Sequence, residues 1–111
     1  MKALILLLAL FSGSVVAQEM KCDKGPEDVV AGGSHWVAYA CDDGKTVVAV
    51  AVSPNPAAPF YFMLRPDGHK VIVFGEGTGD KTTTQKAHAY FSAMTPAQVL
   101  ALHKRAFNKG S

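Results

Sequence analysis

The chain has 111 residues, 49% of them hydrophobic and 18% charged, with a formal net charge of +2. That length supports one compact domain rather than several. Its 11 Lys+Arg against 9 Asp+Glu are scattered except for Lys104-Arg105 and Lys109, without interleaved aromatics, which excludes a nucleic-acid footprint.

Met1-Lys2, the apolar run ALILLLALF and Ser12-Gly13-Ser14 before Val15-Val16-Ala17 make the charged start, short apolar stretch and small-residue cleavage site of a secretory signal peptide. Residues 1–17 are therefore expected to be removed after Ala17, leaving a single small domain over 18–111 in the periplasm or outside the cell. The apolar run stops at Ser12, short of the roughly 20 residues that a membrane span needs. Glu19-Met20-Lys21 before Cys22 is not a lipoprotein cleavage site, so no membrane insertion is expected after signal removal. Without Lys2, ten Lys+Arg stand against nine Asp+Glu, a mature net charge of +1.

A domain of this size has a marginal core unless it is stapled. In an oxidising compartment Cys22 and Cys41, the two cysteines of the chain, form a disulfide, worth about 3 kcal/mol in the chain-entropy model. C-x-x-C spacing and adjacent histidines are both missing, which argues against a redox or zinc role for this pair.

Residues 18–34 lack clear periodicity and read as a loop or lead-in strand held by Cys22. Two runs rich in β-branched and aromatic residues, 35–41 and 46–52, flank Asp42-Asp43-Gly44-Lys45, and Asp-Gly between such runs is a strong hairpin signal. If Asp43-Gly44 is the loop, Cys41 faces Thr46, Tyr39 faces Val48 and Val37 faces Val50. The other face carries Trp36, Ala38, Ala40, Val47, Ala49 and Ala51. Both faces are apolar, so both are expected to be covered, or one to pack closely on another element.

Three prolines within 53–59 then make an extended connection. A second hairpin follows, with strands at 60–64 and 70–74 around Arg65-Pro66-Asp67-Gly68-His69. Its consecutive apolar residues predict at least partial burial on both faces. Residues 75–80, Gly-Glu-Gly-Thr-Gly-Asp, read as a flexible turn. In residues 82–92 the threonines favour a strand while Gln85-Lys86-Ala87-His88-Ala89 suits a helix, and a strand near 86–92 is predicted.

The C-terminal helix is clear. Thr95 is the N-cap, Pro96 the first-turn proline, Gln98 completes a T-x-x-Q capping box and Met94 staples onto Val99. It should run to about Phe107, with Val99, Leu102, His103 and Ala106 on its apolar face, Leu100 and Phe107 at the edge, and Lys104 and Arg105 pointing away. His103 reads as a core histidine with a backbone hydrogen-bond partner. The sum is an α+β domain: an antiparallel sheet of about five strands with one C-terminal helix packed across it.

Motifs that carry chemistry are few. The four histidines, His35, His69, His88 and His103, share no metal-ligand spacing, the 75–80 segment fails both the dinucleotide and P-loop patterns, and no G-x-S-x-G elbow appears. Neither a catalytic set nor a cofactor is implied.

Tyr39-Ala-Cys41-Asp-Asp-Gly44-Lys-Thr-Val47 behind a signal peptide resembles the first hairpin of the membrane-bound and periplasmic inhibitors of C-type lysozyme, small disulfide-bonded envelope proteins with an antiparallel β-barrel. Thr78-Gly79 corresponds to the Ser-Gly of that family's lysozyme-contacting loop. The resemblance implies that Thr78 hydrogen-bonds into a lysozyme cleft. The family's tryptophan-rich segment has no counterpart in this chain.

The sequence thus points to an exported, non-enzymatic binding or inhibitor module of the bacterial envelope or exterior whose partner is another protein. Its expected binding residues are Gly77, Thr78, Gly79 and Lys81, on a surface formed by 75–81 and the proline-rich 53–59. The alternatives are a lysozyme-cleft inhibitor and a small periplasmic ligand- or metal-binding enzyme in which His35, His69 or His88 converges with Glu76 or Asp80.

Overall fold

The computed structural model describes residues 19–110; the signal peptide and cleavage site expected at 1–17 lie outside them. Five antiparallel strands follow one another in sheet order: β1 (Cys22–Ala31), β2 (Ser34–Cys41), β3 (Val47–Ala51), β4 (Phe60–Asp67) and β5 (Lys70–Gly77). Two helices follow, α1 (Lys81–Ser92) and α2 (Pro96–Lys109). The sheet is open, with β1 and β5 as its edges.

The central hairpin has the expected register, with Tyr39 opposite Val48 and Val37 opposite Val50, and Cys41 N–H donating to Thr46 O at 2.9 Å. Asp43 holds the turn by accepting from Lys45 N, Thr46 N and Thr46 Oγ1 at 3.0, 2.9 and 2.6 Å. Burial raises its pKa, but the bonds from Thr46 and Lys45 and the charge of Lys45 outweigh that and hold the carboxyl below its usual value. The second hairpin turns on Gly68-His69, tighter than the predicted five-residue turn. Pro66 and Asp67 stay in the strand, and Gly68 takes the φ of +65° that the first loop position requires.

Of the two readings of the lead-in segment, loop or strand, the strand holds: it is a full ten-residue strand, which pairs with β2. Two expectations need correction. Gly75, Glu76 and Gly77 extend β5 opposite Phe62, Tyr61 and Phe60 and do not form a turn. The strand predicted near 86–92 is the second half of helix α1, so two helices, not one, pack on the sheet. Asp80 caps α1 by accepting from Thr83 N at 2.8 Å and Thr83 Oγ1 at 2.7 Å. Those bonds outweigh burial and keep its carboxyl below the usual range. Buried Thr84, Ala87 and Phe91 recur at helical spacing, and this stripe prevails over the β propensity of the threonines.

Helix α2 has its full capping box, with Thr95 Oγ1 accepting from Gln98 N and Gln98 Oε1 accepting from Thr95 N. It buries Val99, Leu102, His103 and Ala106. Nε2 of His103 lies 2.8 Å from the Cys41 carbonyl; a carbonyl only accepts, so Nε2 carries the proton. Arg105 and Lys109 reach Glu27 of β1 at 3.2 and 3.4 Å. The Cys22–Cys41 disulfide is formed and joins the start of β1 to the end of β2.

Trp36, Ala38, Val47, Ala49, Ala51, Phe62 and Leu64 meet Ala87, Phe91, Val99 and Leu102 of the helices in one core. Trp36 sits at its centre, 5.3–6.4 Å from the rings of Phe60, Phe62 and Phe91.

Candidate functional site

Alternation along the strands sends the remaining side chains to the other face. Across it the register aligns Val37, Val50, Tyr61 and Glu76 in one row and Tyr39, Val48, Met63 and Phe74 in the next. Val48, Val50, Tyr61, Met63 and Ile72 are half-buried, and Phe74 is 53% exposed. Ala87, Phe91, Val99 and Leu102 of the helices belong to the core on the opposite side, which leaves this face half-open apart from buried Val37. The second hairpin is thus packed beneath the helices on one face and half-buried on the other, in line with the expected partial burial of both.

Val48, Val50, Tyr61, Met63, Glu76 and Thr78 line a shallow hollow of about 870 Å³ on this face. Its floor is aliphatic and its wall polar. Tyr61 Oη donates to Glu76 Oε1 at 3.3 Å. Burial, and then the charge and hydrogen bond of Glu76, raise the Tyr61 pKa, so the phenol stays neutral and Glu76 is the charged group of the wall.

The two segments singled out as recognition surfaces lie side by side at the end of this hollow. Thr78 N–H donates to Pro59 O and Asp80 N–H to Pro56 O, both at 3.0 Å. Buried Asn55 donates from Nδ2 to His35 O at 2.7 Å and accepts from Ala57 N at 2.9 Å, pinning the proline-rich loop to β2. Gly79 lies so close to this loop that a Cβ there would overlap the Ala57 carbonyl. The segment expected to be a flexible turn is thus strapped down by backbone contacts.

Of the predicted binding residues, Gly77 and Thr78 line the hollow. Gly79 packs against Ala57, and Lys81 is the exposed first residue of α1; neither lines it. Sequence reasoning missed Tyr61, Met63, Val48 and Val50 as site residues, because an apolar strand position looks the same whether or not another layer covers it. The signal was there in the consecutive apolar residues of 60–64.

The histidines lie apart in the fold. His35 Nε2 is 2.9 Å from Asp28 Oδ1, His69 is in the β4–β5 turn, the His88 ring is tilted against that of Phe62 at 5.9 Å and His103 binds the Cys41 carbonyl. Among the described residues no three His, Cys, Asp or Glu side chains gather around a possible ion position, and no helix is long and apolar enough to cross a membrane.

Comparison of the chain with protein-family models, with curated proteins and with solved structures gives no match.

Proposed function

We propose that this protein is an exported, non-enzymatic binding module of the bacterial envelope or exterior, and that its open sheet face takes an apolar surface of a protein partner. One observation carries the reading: a contiguous row of tyrosine, valine, methionine and phenylalanine side chains, half-buried to exposed, lies on the sheet face opposite the helix-packed core. Exposed apolar patches of this kind mark interaction sites. The polar wall of Tyr61, Glu76 and Thr78 supplies the directional bonds that such a floor lacks. Export agrees with the signal-like start of the chain and with the disulfide.

A photo-crosslinking residue placed at Met63 of the exported protein tests this reading. A discrete adduct is expected in cells, lost when Val50→Glu puts a charge on the floor. An adduct pattern unchanged by Val50→Glu would count against the open face. A second reading, inhibition of a C-type lysozyme, is favoured by the exposure of Thr78 on a strapped segment. In a lysozyme assay it requires inhibition by the wild type that Thr78→Arg removes.

A further inference from the structure

The two edges of the sheet differ in how they are guarded. β1 carries Pro26, two breaks in register and the charges Asp23, Lys24, Glu27 and Asp28, the devices that keep an edge strand from pairing with another chain. β5 contains no proline, its register with β4 is unbroken from Gly77 to Lys70, and its charges stand near its two ends, Lys70 and Glu76.

The pairing parity of β5 follows from its neighbours. The residues that close a two-residue hairpin loop exchange both backbone bonds, in this chain Asp67 and Lys70. The Thr78 N–H to Pro59 O bond continues the same alternation at the far end. The even-numbered residues therefore turn their N–H and C=O to β4, while Val71, Val73 and Gly75 turn theirs outward.

We propose that β5 pairs antiparallel with β5 of a second copy of this chain, about a two-fold axis through Val73. In that register Lys70 faces Glu76 of the second copy, Ile72 faces Phe74 and Val71 faces Gly75. The outward groups of Val71, Val73 and Gly75 close about six backbone hydrogen bonds. The charges are self-complementary and set the register. A slip of two residues puts Lys70 against Phe74 or Thr78, and parallel pairing puts it beside another Lys70. Among the described residues Lys70 makes no ion pair, although Asp67 stands across from it. Tyr61 occupies one oxygen of Glu76, so the other is left for the lysine. A two-fold perpendicular to the sheet puts all four helices on one side and joins the open faces into one surface ten strands wide. The pairing stands independently of what that surface binds.

Analytical ultracentrifugation of the mature, disulfide-bonded chain from micromolar to millimolar concentration is the test, with dimer expected to form as concentration rises. Lys70→Glu and Glu76→Lys should each weaken the dimer about tenfold or more by turning both ion pairs repulsive. The double variant K70E/E76K should restore it with the signs exchanged. Val73→Pro removes an outward N–H and should leave a folded monomer by circular dichroism; if it fails to fold, the charge exchange decides alone. A wild type that stays monomeric throughout, a dimer indifferent to the single reversals, or a double variant that does not recover overturns the proposal.

Discussion

The two faces of the sheet are built from alternate residues of the same strands, and in the middle of β2 and β3 their fates are opposite to what side-chain bulk suggests. There the smaller residues, Ala38, Ala40, Ala49 and Ala51, are the buried ones. Small residues on β2 and β3 leave room for Trp36, Phe62 and Phe91 to interlock beneath two helices, so that face closes at high packing density. The face of Val48, Val50, Tyr61, Met63 and Phe74 has no helix residue of the core packed on it and stays half-open to solvent or to a partner. Apolar character alone does not decide which face is the core; the decision falls to the side on which a capped amphipathic helix can lie flat.

Substitutions on the two faces should therefore separate widely. Trp36→Ala, which empties the centre of the aromatic cluster, should cost about 3–5 kcal/mol in denaturant unfolding. If it costs no more than a substitution on the open face, the distinction fails. The disulfide should come next. Serine at both Cys22 and Cys41 should lower stability by about 3 kcal/mol, and alkylation with mass spectrometry of the wild type should find no free thiol. Thr95→Ala, which removes the cap that orients α2 against the packed face, should cost about 1 kcal/mol.

Val50→Thr on the open face should change stability by less than about 1 kcal/mol, because its surroundings are already half solvated. It should still weaken whatever binds there, which separates a binding face from an incomplete core. The smallest effect is expected at the hairpin turn that both faces share. The folded-state pKa of Asp43 lies below its unfolded value, so its contribution is complete above the unfolded pKa, near pH 4, and disappears as pH falls through the folded value. Asp43→Asn should accordingly flatten the acid limb of stability against pH and leave its neutral region almost parallel to wild type. Identical acid slopes in the two proteins would show that the Asp43 bonds to Thr46 and Lys45 do not persist in solution.

What the sequence determined by itself were the features written within a few residues. The register of the central hairpin follows from one Asp-Gly turn between two strand-forming runs, and helix α2 follows from Thr95, Pro96 and Gln98 ahead of an apolar stripe. His103 was legible as a core residue because helical spacing alone places it between Val99 and Ala106. The cysteine pairing was legible because the chain has two. Helix α1 was misread because its first turn is three threonines, whose local preference favours a strand. Asp80 capping Thr83, and Phe91 entering the Trp36 cluster, override that preference, and the second of these exists only after β2 and β4 have come together. The strapping of 77–80 onto the proline-rich loop and the exposure of the Val50–Tyr61 face were decided by tertiary structure in the same way. Both depend on which side of the sheet the helices cover. That choice is made by close packing between residues distant in the chain, and no local pattern encodes it.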